Sequence, residues 1–187
     1  MRNWALIAVL STAFAVFAAS AVAANVVVNS TVAGGAALSI AGNGTPSFSL
    51  TLNGLDQVAN YTLPVSVIDP RGLATGGGWN LTVTSTQFND GAGHTFPTTA
   101  STITAISPAT TCGTNSTCTP PTDTVPISNL ALPAAATAPA AVKWFNAANA
   151  TGLGTLNVNA AVSVAAPANV FAGTYTSTVT VAVIAGP

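Results

Sequence analysis

The side chains that could act as a general acid or base are few in this sequence. His94 is the only histidine, and the four acidic residues are all aspartates. His94 and Asp90 could join a serine in a Ser-His-Asp site, but the G-x-S-x-G elbow is absent and serine is too abundant for any one pairing to be informative. A glycosidase needs two well-placed carboxylates, whereas Asp56, Asp69, Asp90 and Asp123 lie in four separate turn-like segments. The sequence therefore predicts a protein that is not an enzyme and has no catalytic residues.

Metal ligands are equally sparse. The Asn89-Asp90-Gly91 segment could offer oxygens to Ca²⁺, but a calcium site takes about six to eight oxygens, so a tight turn is the favoured interpretation. Cys112 and Cys118 have no other Cys, His, Asp or Glu flanking them before Asp123, which argues against zinc. We predict neither a metal site nor a cofactor.

The N-terminus has the pattern of a secretory signal peptide. A positive start at Met1-Arg2-Asn3 precedes an uncharged apolar run, residues 4–19, and the small residues Ala21-Val22-Ala23. We predict a signal peptide over residues 1–23 and a mature domain over residues 24–187. A retained anchor is the alternative, but the run is shorter than the ~20 residues that span a bilayer. We expect no membrane partner after cleavage.

The two cysteines agree with export. Cys112 and Cys118 are an even pair at short spacing, and in an oxidising compartment such a pair predicts a disulfide that closes a small loop.

Charge is nearly absent from the chain. Only 4% of its 187 residues are charged, the formal net charge is −1, and 49% are hydrophobic. A protein that binds nucleic acid by charge needs clustered Lys and Arg, so that class is excluded. Long amphipathic helices are disfavoured for the same reason, and the abundance of Thr, Val, Gly and Asn favours strands and turns.

The secondary structure that would position these residues consists of short strands with apolar residues on one face. In the segment 79–88, Trp79, Leu81 and Val83 alternate with Asn80 and Thr82, and this predicts an inward-facing Trp79. The pattern indicates one all-β domain, an antiparallel β-sandwich of Greek-key/Ig-like or jelly-roll-like type. The candidate strands are residues 25–32, 47–52, 63–68, 79–88, 101–106, 155–164 and 174–184.

Residues 107–141 interrupt this pattern. The stretch is rich in Pro, Ala and Thr, contains the cysteine pair near its start, and is interpreted as a long excursion with one strand near residues 125–127. Trp144 follows it, and its face cannot be assigned. Trp79 and Trp144 could each stack on a sugar ring or fill the core, and for Trp79 the alternation favours the core.

Three motifs in order resemble the WxL family of bacterial surface proteins. They are Asp69-Pro70-Arg71-Gly72, then Gly78-Trp79-Asn80-Leu81 with Phe88 a few residues on, and Ala172-Gly173-Thr174-Tyr175-Thr176 after Gly152-Leu153-Gly154. The similarity runs from about residue 30 to the end of the chain. A second tryptophan motif that many members have in the last strand has no counterpart here.

The resemblance implies a secreted β-sandwich that associates non-covalently with the cell wall through peptidoglycan. The binding motif would fall on Trp79 and Leu81, and other surface proteins are further candidate partners. An alternative is a structural subunit of an extracellular filament or coat that self-assembles by strand exchange, with residues 25–32 as the donated strand.

Overall fold

The protein is all-β. The computed structural model describes residues 28–106 and 110–187, and in these ranges it contains ten strands and no helix. No helix there is long and apolar enough to cross a membrane. The strands are β1 (Ser39–Gly42), β2 (Gln57–Asp69), β3 (Trp79–Thr86), β4 (Ser101–Ile106), β5 (Thr111–Cys112), β6 (Leu130–Ala131), β7 (Ala134–Ala135), β8 (Val142–Ala147), β9 (Gly154–Ala166) and β10 (Val179–Ala185).

The chain divides into two compact units, residues 1–32 and 33–187. Of the first unit the described residues are 28–32, which are exposed and form no strand. The predicted signal peptide, residues 1–23, lies outside the described residues.

One sheet of the second unit is organised around β2 and β9. They pair antiparallel over thirteen residues, from Gln57 opposite Ala166 to Asp69 opposite Gly154. The sheet order is β1-β2-β9-β4-β6, and β5 also pairs with β9. Alternation explains β9: Leu156, Val158 and the following even-numbered residues to Val164 are buried, while the residues between them are half-buried.

The second sheet is centred on β3. β10 pairs antiparallel with one edge of β3, and the other edge pairs with β8 and, in parallel, with the short β7. The two sheets pack face to face, which confirms the prediction of an all-β sandwich. Their inner faces form one hydrophobic cluster whose largest fully buried side chains are Trp79, Trp144, Leu81, Ile103, Leu132 and Leu156.

Four of the predicted strands fall on observed ones. The segments 79–88, 101–106 and 155–164 match β3, β4 and β9 to within two residues, whereas 63–68 covers only the second half of β2. All four have strands paired on both edges. In β3 and in residues 155–164 of β9 buried and half-buried residues also alternate, so the face pattern and the pairing agree there.

Other strand predictions are wrong. Residues 47–52 have no ladder partner, although Phe48 and Leu50 are half-buried and turned toward the core, so alternation identified the inward face without a pairing strand. Residues 28–32 and 125–127 form no strand, and the last strand begins at Val179 rather than at residue 174. Residues 107–141 contain β5, β6 and β7, each of two residues, and residues 107–109 are outside the described ranges.

Candidate functional site

Trp79, which the motif resemblance singles out, lies in the core. Its side chain is fully buried, its ring centroid lies 5.9 Å from that of Phe145, and its Nε1 donates a hydrogen bond of 2.9 Å to the carbonyl of Gly152. The prediction of an inward-facing Trp79 is confirmed. Leu81 is also fully buried. Neither side chain can touch a ligand outside the folded domain.

Two glycines allow close approaches around β3: Gly152 makes room for the Trp79 ring, and Gly78 makes room for the backbone of Ala147. Gly152 has φ +70°, and a Cβ there would lie 2.7 Å from Trp79 Nε1. Gly78 has φ +97°, and a Cβ there would lie 2.6 Å from the carbonyl oxygen of Ala147. Both positions need the left-handed backbone and the close approach that only glycine allows without strain. Gly78 and Gly152 are therefore required by the packing around β3.

The Asp69-Pro70-Arg71-Gly72 segment links the end of β2 to Gly78, the residue before β3. Arg71 donates from Nε and Nη2 to the two carboxylate oxygens of Asp69 at 2.7 and 2.8 Å, and Nη2 also donates to the carbonyl of Gly78 at 2.8 Å. The bidentate hydrogen bonds and the charge of Asp69 raise the pKa of Arg71. Asp69 is buried and neutralises Arg71, so the pair does not present a free charge to a ligand. Its role is to hold Gly78, the residue before Trp79, in place.

The predicted disulfide is present. Cys112 and Cys118 are bonded, with their Cα atoms 5.4 Å apart. Cys112 belongs to β5, which pairs with β9, and the Oγ of Ser116 inside the loop accepts a hydrogen bond from the backbone N–H of Thr155. The bridge thus closes a small exposed loop against the start of β9.

His94 and Asp90 form a self-contained loop. Asp90 Oδ1 accepts hydrogen bonds from the backbone N–H groups of Ala92 and His94, and Oδ2 lies 2.5 Å from His94 Nδ1. The hydrogen bond with His94 is the main cause of a lowered pKa of Asp90. No serine hydroxyl is hydrogen-bonded to His94 in the described ranges. Since both carboxylate oxygens are used to shape the loop, the arrangement is that of a turn.

Metal ligands do not cluster in the described part of the chain, where no three His, Cys, Asp or Glu side chains come together.

An aromatic pocket lies beside this loop, at the end of the sandwich away from Trp79. We use that name for the cavity of about 380 Å³ whose lining includes Gln87, His94, Phe96, Asn169, Phe171 and Tyr175. Its size falls within the range of small-ligand pockets, about 300–1,000 Å³. The eight-residue β3 separates the pocket from Trp79 by about 25 Å.

Phe171 is the most accessible ring of this pocket. Its side chain is 61% exposed, and its ring stacks on that of His94 with centroids 4.1 Å apart. The Tyr175 hydroxyl donates to the carbonyl of Phe171 at 3.1 Å, and the Tyr175 ring lies 4.7 Å from the ring of Phe96. Asn169 beside them is exposed. The pocket combines flat apolar faces with neutral hydrogen-bonding groups.

Sequence reasoning missed the pocket. Phe171 lies in a loop without alternation, and the residues around it come from segments about 75 positions apart along the chain. Tyr175 belongs to one of the motifs that resemble the family, but the resemblance assigned no function to it. The one available signal was a large aromatic residue among small residues, Val170-Phe171-Ala172-Gly173, in a segment that the pattern did not require to be buried.

A β-sandwich with an open aromatic pocket at one end has the architecture of a binding module. The family model of the WxL domain, a surface cell wall-binding domain, matches residues 21–186. The chain therefore belongs to the WxL family, and it is a cell-surface, cell wall-associated protein. No curated protein and no solved structure matches the chain.

Proposed function

We propose that the protein is exported, has no catalytic activity, and associates non-covalently with the cell wall by holding a neutral sugar ring of peptidoglycan in the aromatic pocket. The observation that carries the proposal is the exposed, stacked pair of Phe171 and His94 beside neutral polar side chains. Sugar rings present flat C–H faces and hydroxyl groups, which match an aromatic face flanked by amides and a hydroxyl.

The distribution of charge supports a neutral contact. In residues 28–106 and 110–187 the only Lys and Arg are Arg71 and Lys143. Arg71 is paired with Asp69, so Lys143 alone is left to meet an anionic polymer. An affinity built on charge would need more cations than this, because exposed charges are screened within about 8 Å at physiological ionic strength.

On this proposal Trp79 and Leu81 stabilise the folded domain and do not contact the wall. Both residues are buried, Trp79 about 25 Å and Leu81 about 20 Å along β3 from the pocket, so a change at either would reduce wall binding only by destabilising the domain.

The first test uses the exported chain and purified peptidoglycan sacculi. Wall-bound protein should stay bound in molar NaCl and be released by denaturant, because apolar and neutral hydrogen-bonded contacts do not weaken with salt as ion pairs do. Release by moderate salt alone would contradict the neutral contact and would point to Lys143.

The second test truncates the exposed ring. Phe171→Ala should lower the amount of protein sedimenting with the sacculi at least tenfold while leaving the melting temperature within a few degrees of the parent's, because Phe171 is mostly exposed. Leu73→Ala is the control, since Leu73 is also apolar and exposed but lies in the connection between β2 and β3, away from the pocket lining. Equal binding by the parent and Phe171→Ala would place the contact elsewhere.

A further inference from the structure

The outer edge of β10 is unpaired in the described part of the chain, because β10 pairs only with β3. Two backbone hydrogen bonds at its ends fix which groups face outward. The Thr86 N–H donates to the Thr178 carbonyl at 2.9 Å, and the Gly186 N–H donates to the Gly78 carbonyl at 3.1 Å. In an antiparallel ladder such bonds recur at every second residue, so the even-numbered residues of β10 face β3. The N–H and C=O groups of the odd-numbered residues point to the free edge, and these residues are Val179, Val181, Val183 and Ala185.

This edge has none of the features that usually block edge pairing. The seven residues Val179–Ala185 include no Lys, no Pro and no other charge, and their register with β3 runs without a bulge. An exposed, regular and uncharged edge of this kind is a template for another strand, so natural proteins normally cover it or disrupt it. The composition of β10 therefore indicates an edge that is covered in the working state of the protein.

An apolar cleft runs beside the edge. It lies between β1, the edge of one sheet, and β10, the edge of the other, and has a volume of about 1180 Å³. Small-molecule pockets span about 300–1,000 Å³, so the cleft is large enough for a polypeptide segment. The side chains of β10 that face it are only half-buried. Its apolar lining includes Ile40, Phe48, Leu50, Tyr61, Val179 and Val181.

One segment of the chain has the matching properties. Residues 25–32 are eight residues long against the seven of β10, carry no charge, and place Val26, Val28 and Val32 on one side of an extended chain. Of these, Val28 is 84% exposed and Val32 is 92% exposed. Both are β-branched, which suits a strand, and neither contributes apolar burial in its present exposed state.

We propose that residues 25–32 of a second copy of this chain add to the free edge of β10 and lay their valines into the cleft. The donated segment and the accepting edge are different surfaces of each copy, so the contact is head-to-tail and each added copy leaves one donor and one acceptor free. The cleft and the aromatic pocket share Phe96, Val170, Phe171 and Tyr175 in their linings, so assembly is measured without sacculi and its outcome does not depend on wall binding.

The test separates donor from acceptor. In the exported chain, Val28→Pro together with Val32→Pro removes two backbone donors from the segment, and Val181→Pro removes an outward N–H of β10 without touching its bonds to β3. The parent should form species larger than a dimer whose sedimentation coefficient rises with concentration. Each blocked chain alone should sediment as a monomer, and an equimolar mixture of the two should give a dimer, because one intact donor meets one intact acceptor.

Controls guard against misfolding. Val28→Ile with Val32→Ile keeps the backbone donors and the apolar faces and should assemble like the parent. If Val181→Pro unfolds, Ala182→Lys replaces it, since Ala182 is exposed on β10 and a lysine there charges the edge while keeping the ladder with β3. A parent that stays monomeric at every concentration, a donor-blocked chain that still assembles, or a mixture that stays monomeric would each overturn the proposal.

Discussion

Truncation of Trp79 tests whether the family motif builds the fold or touches the wall. Trp79→Ala removes a fully buried indole, its packing on Phe145 and its hydrogen bond to Gly152. Removing a buried Phe or Trp side chain in this way costs ~3–5 kcal/mol, a large part of the ~5–15 kcal/mol that stabilises a typical domain. For a domain of about 150 residues each kcal/mol shifts the melting temperature by ~2–4 °C, so a fall of about 6–20 °C is expected.

The assay is urea and thermal unfolding followed by circular dichroism, with Trp144 fluorescence as a second probe. Trp79→Phe is the companion variant. It keeps an aromatic ring but leaves the Gly152 carbonyl without its donor, so the free energy of unfolding should fall by ~1–3 kcal/mol. Leu73→Ala, at an exposed site nearby, should change it by no more than about 0.5 kcal/mol.

Wall binding measured on the same variants distinguishes a structural role of Trp79 from a direct contact with the wall. At a temperature where Trp79→Ala is still folded, it should bind sacculi like the parent. If Trp79→Ala has the same melting temperature as the parent but no longer binds sacculi, then Trp79 is an exposed residue that contacts the ligand, and the packing argument is refuted.

Three further expectations concern stability. Freshly isolated protein should show no free thiol by mass spectrometry, and reducing the Cys112–Cys118 bond should lower the free energy of unfolding by only ~2 kcal/mol, because the closed loop is small. Arg71→Ala leaves the buried Asp69 carboxylate without its partner and should cost ~3 kcal/mol in urea unfolding, whereas a cost near zero would show that the pair is dispensable. Burial raises the pKa of Tyr61 to about 12, so the unfolded chain ionises first. The free energy of unfolding should therefore fall between about pH 10 and pH 12, by at most ~2–3 kcal/mol, and a flat profile there in a urea titration would contradict this.

Alternation predicted which side chains face inward more reliably than which strands pair. In β9 both the predicted inward face and the predicted strand were right, because every second residue is apolar and strands pair with both of its edges. At Phe48 and Leu50 the inward face was right, but the sheet offered no neighbouring strand. β8 was missed because its alternation is weak: Trp144, Phe145 and Asn146 are buried in succession, so no single face is marked in the sequence. Pairing depends on residues about a hundred positions away, which a local pattern does not contain.

The candidate site was less predictable than the fold. The motif residues Trp79 and Leu81 stand out in the sequence because the core requires them, whereas the accessible ring at Phe171 belongs to a loop without any period. The disulfide was predictable, since two cysteines at close spacing leave one pairing within the chain. The position of a loop surface depends on all the strands that support it. Local sequence patterns therefore predict the strands but not the sites that the loops form.

The pairing of β2 with β9 also sets the order of events in folding. Their registered residues are separated by between 85 and 109 positions, from Asp69 with Gly154 to Gln57 with Ala166. A chain whose central ladder joins such distant segments has a high contact order, and all-β domains of this kind fold in milliseconds to seconds rather than microseconds. β9 comes late in the sequence, so β2 can pair only with the four-residue β1 until the C-terminal half of the chain is present. Refolding from denaturant should accordingly be slow, and β2 should gain its protection from hydrogen exchange together with β9 rather than before it.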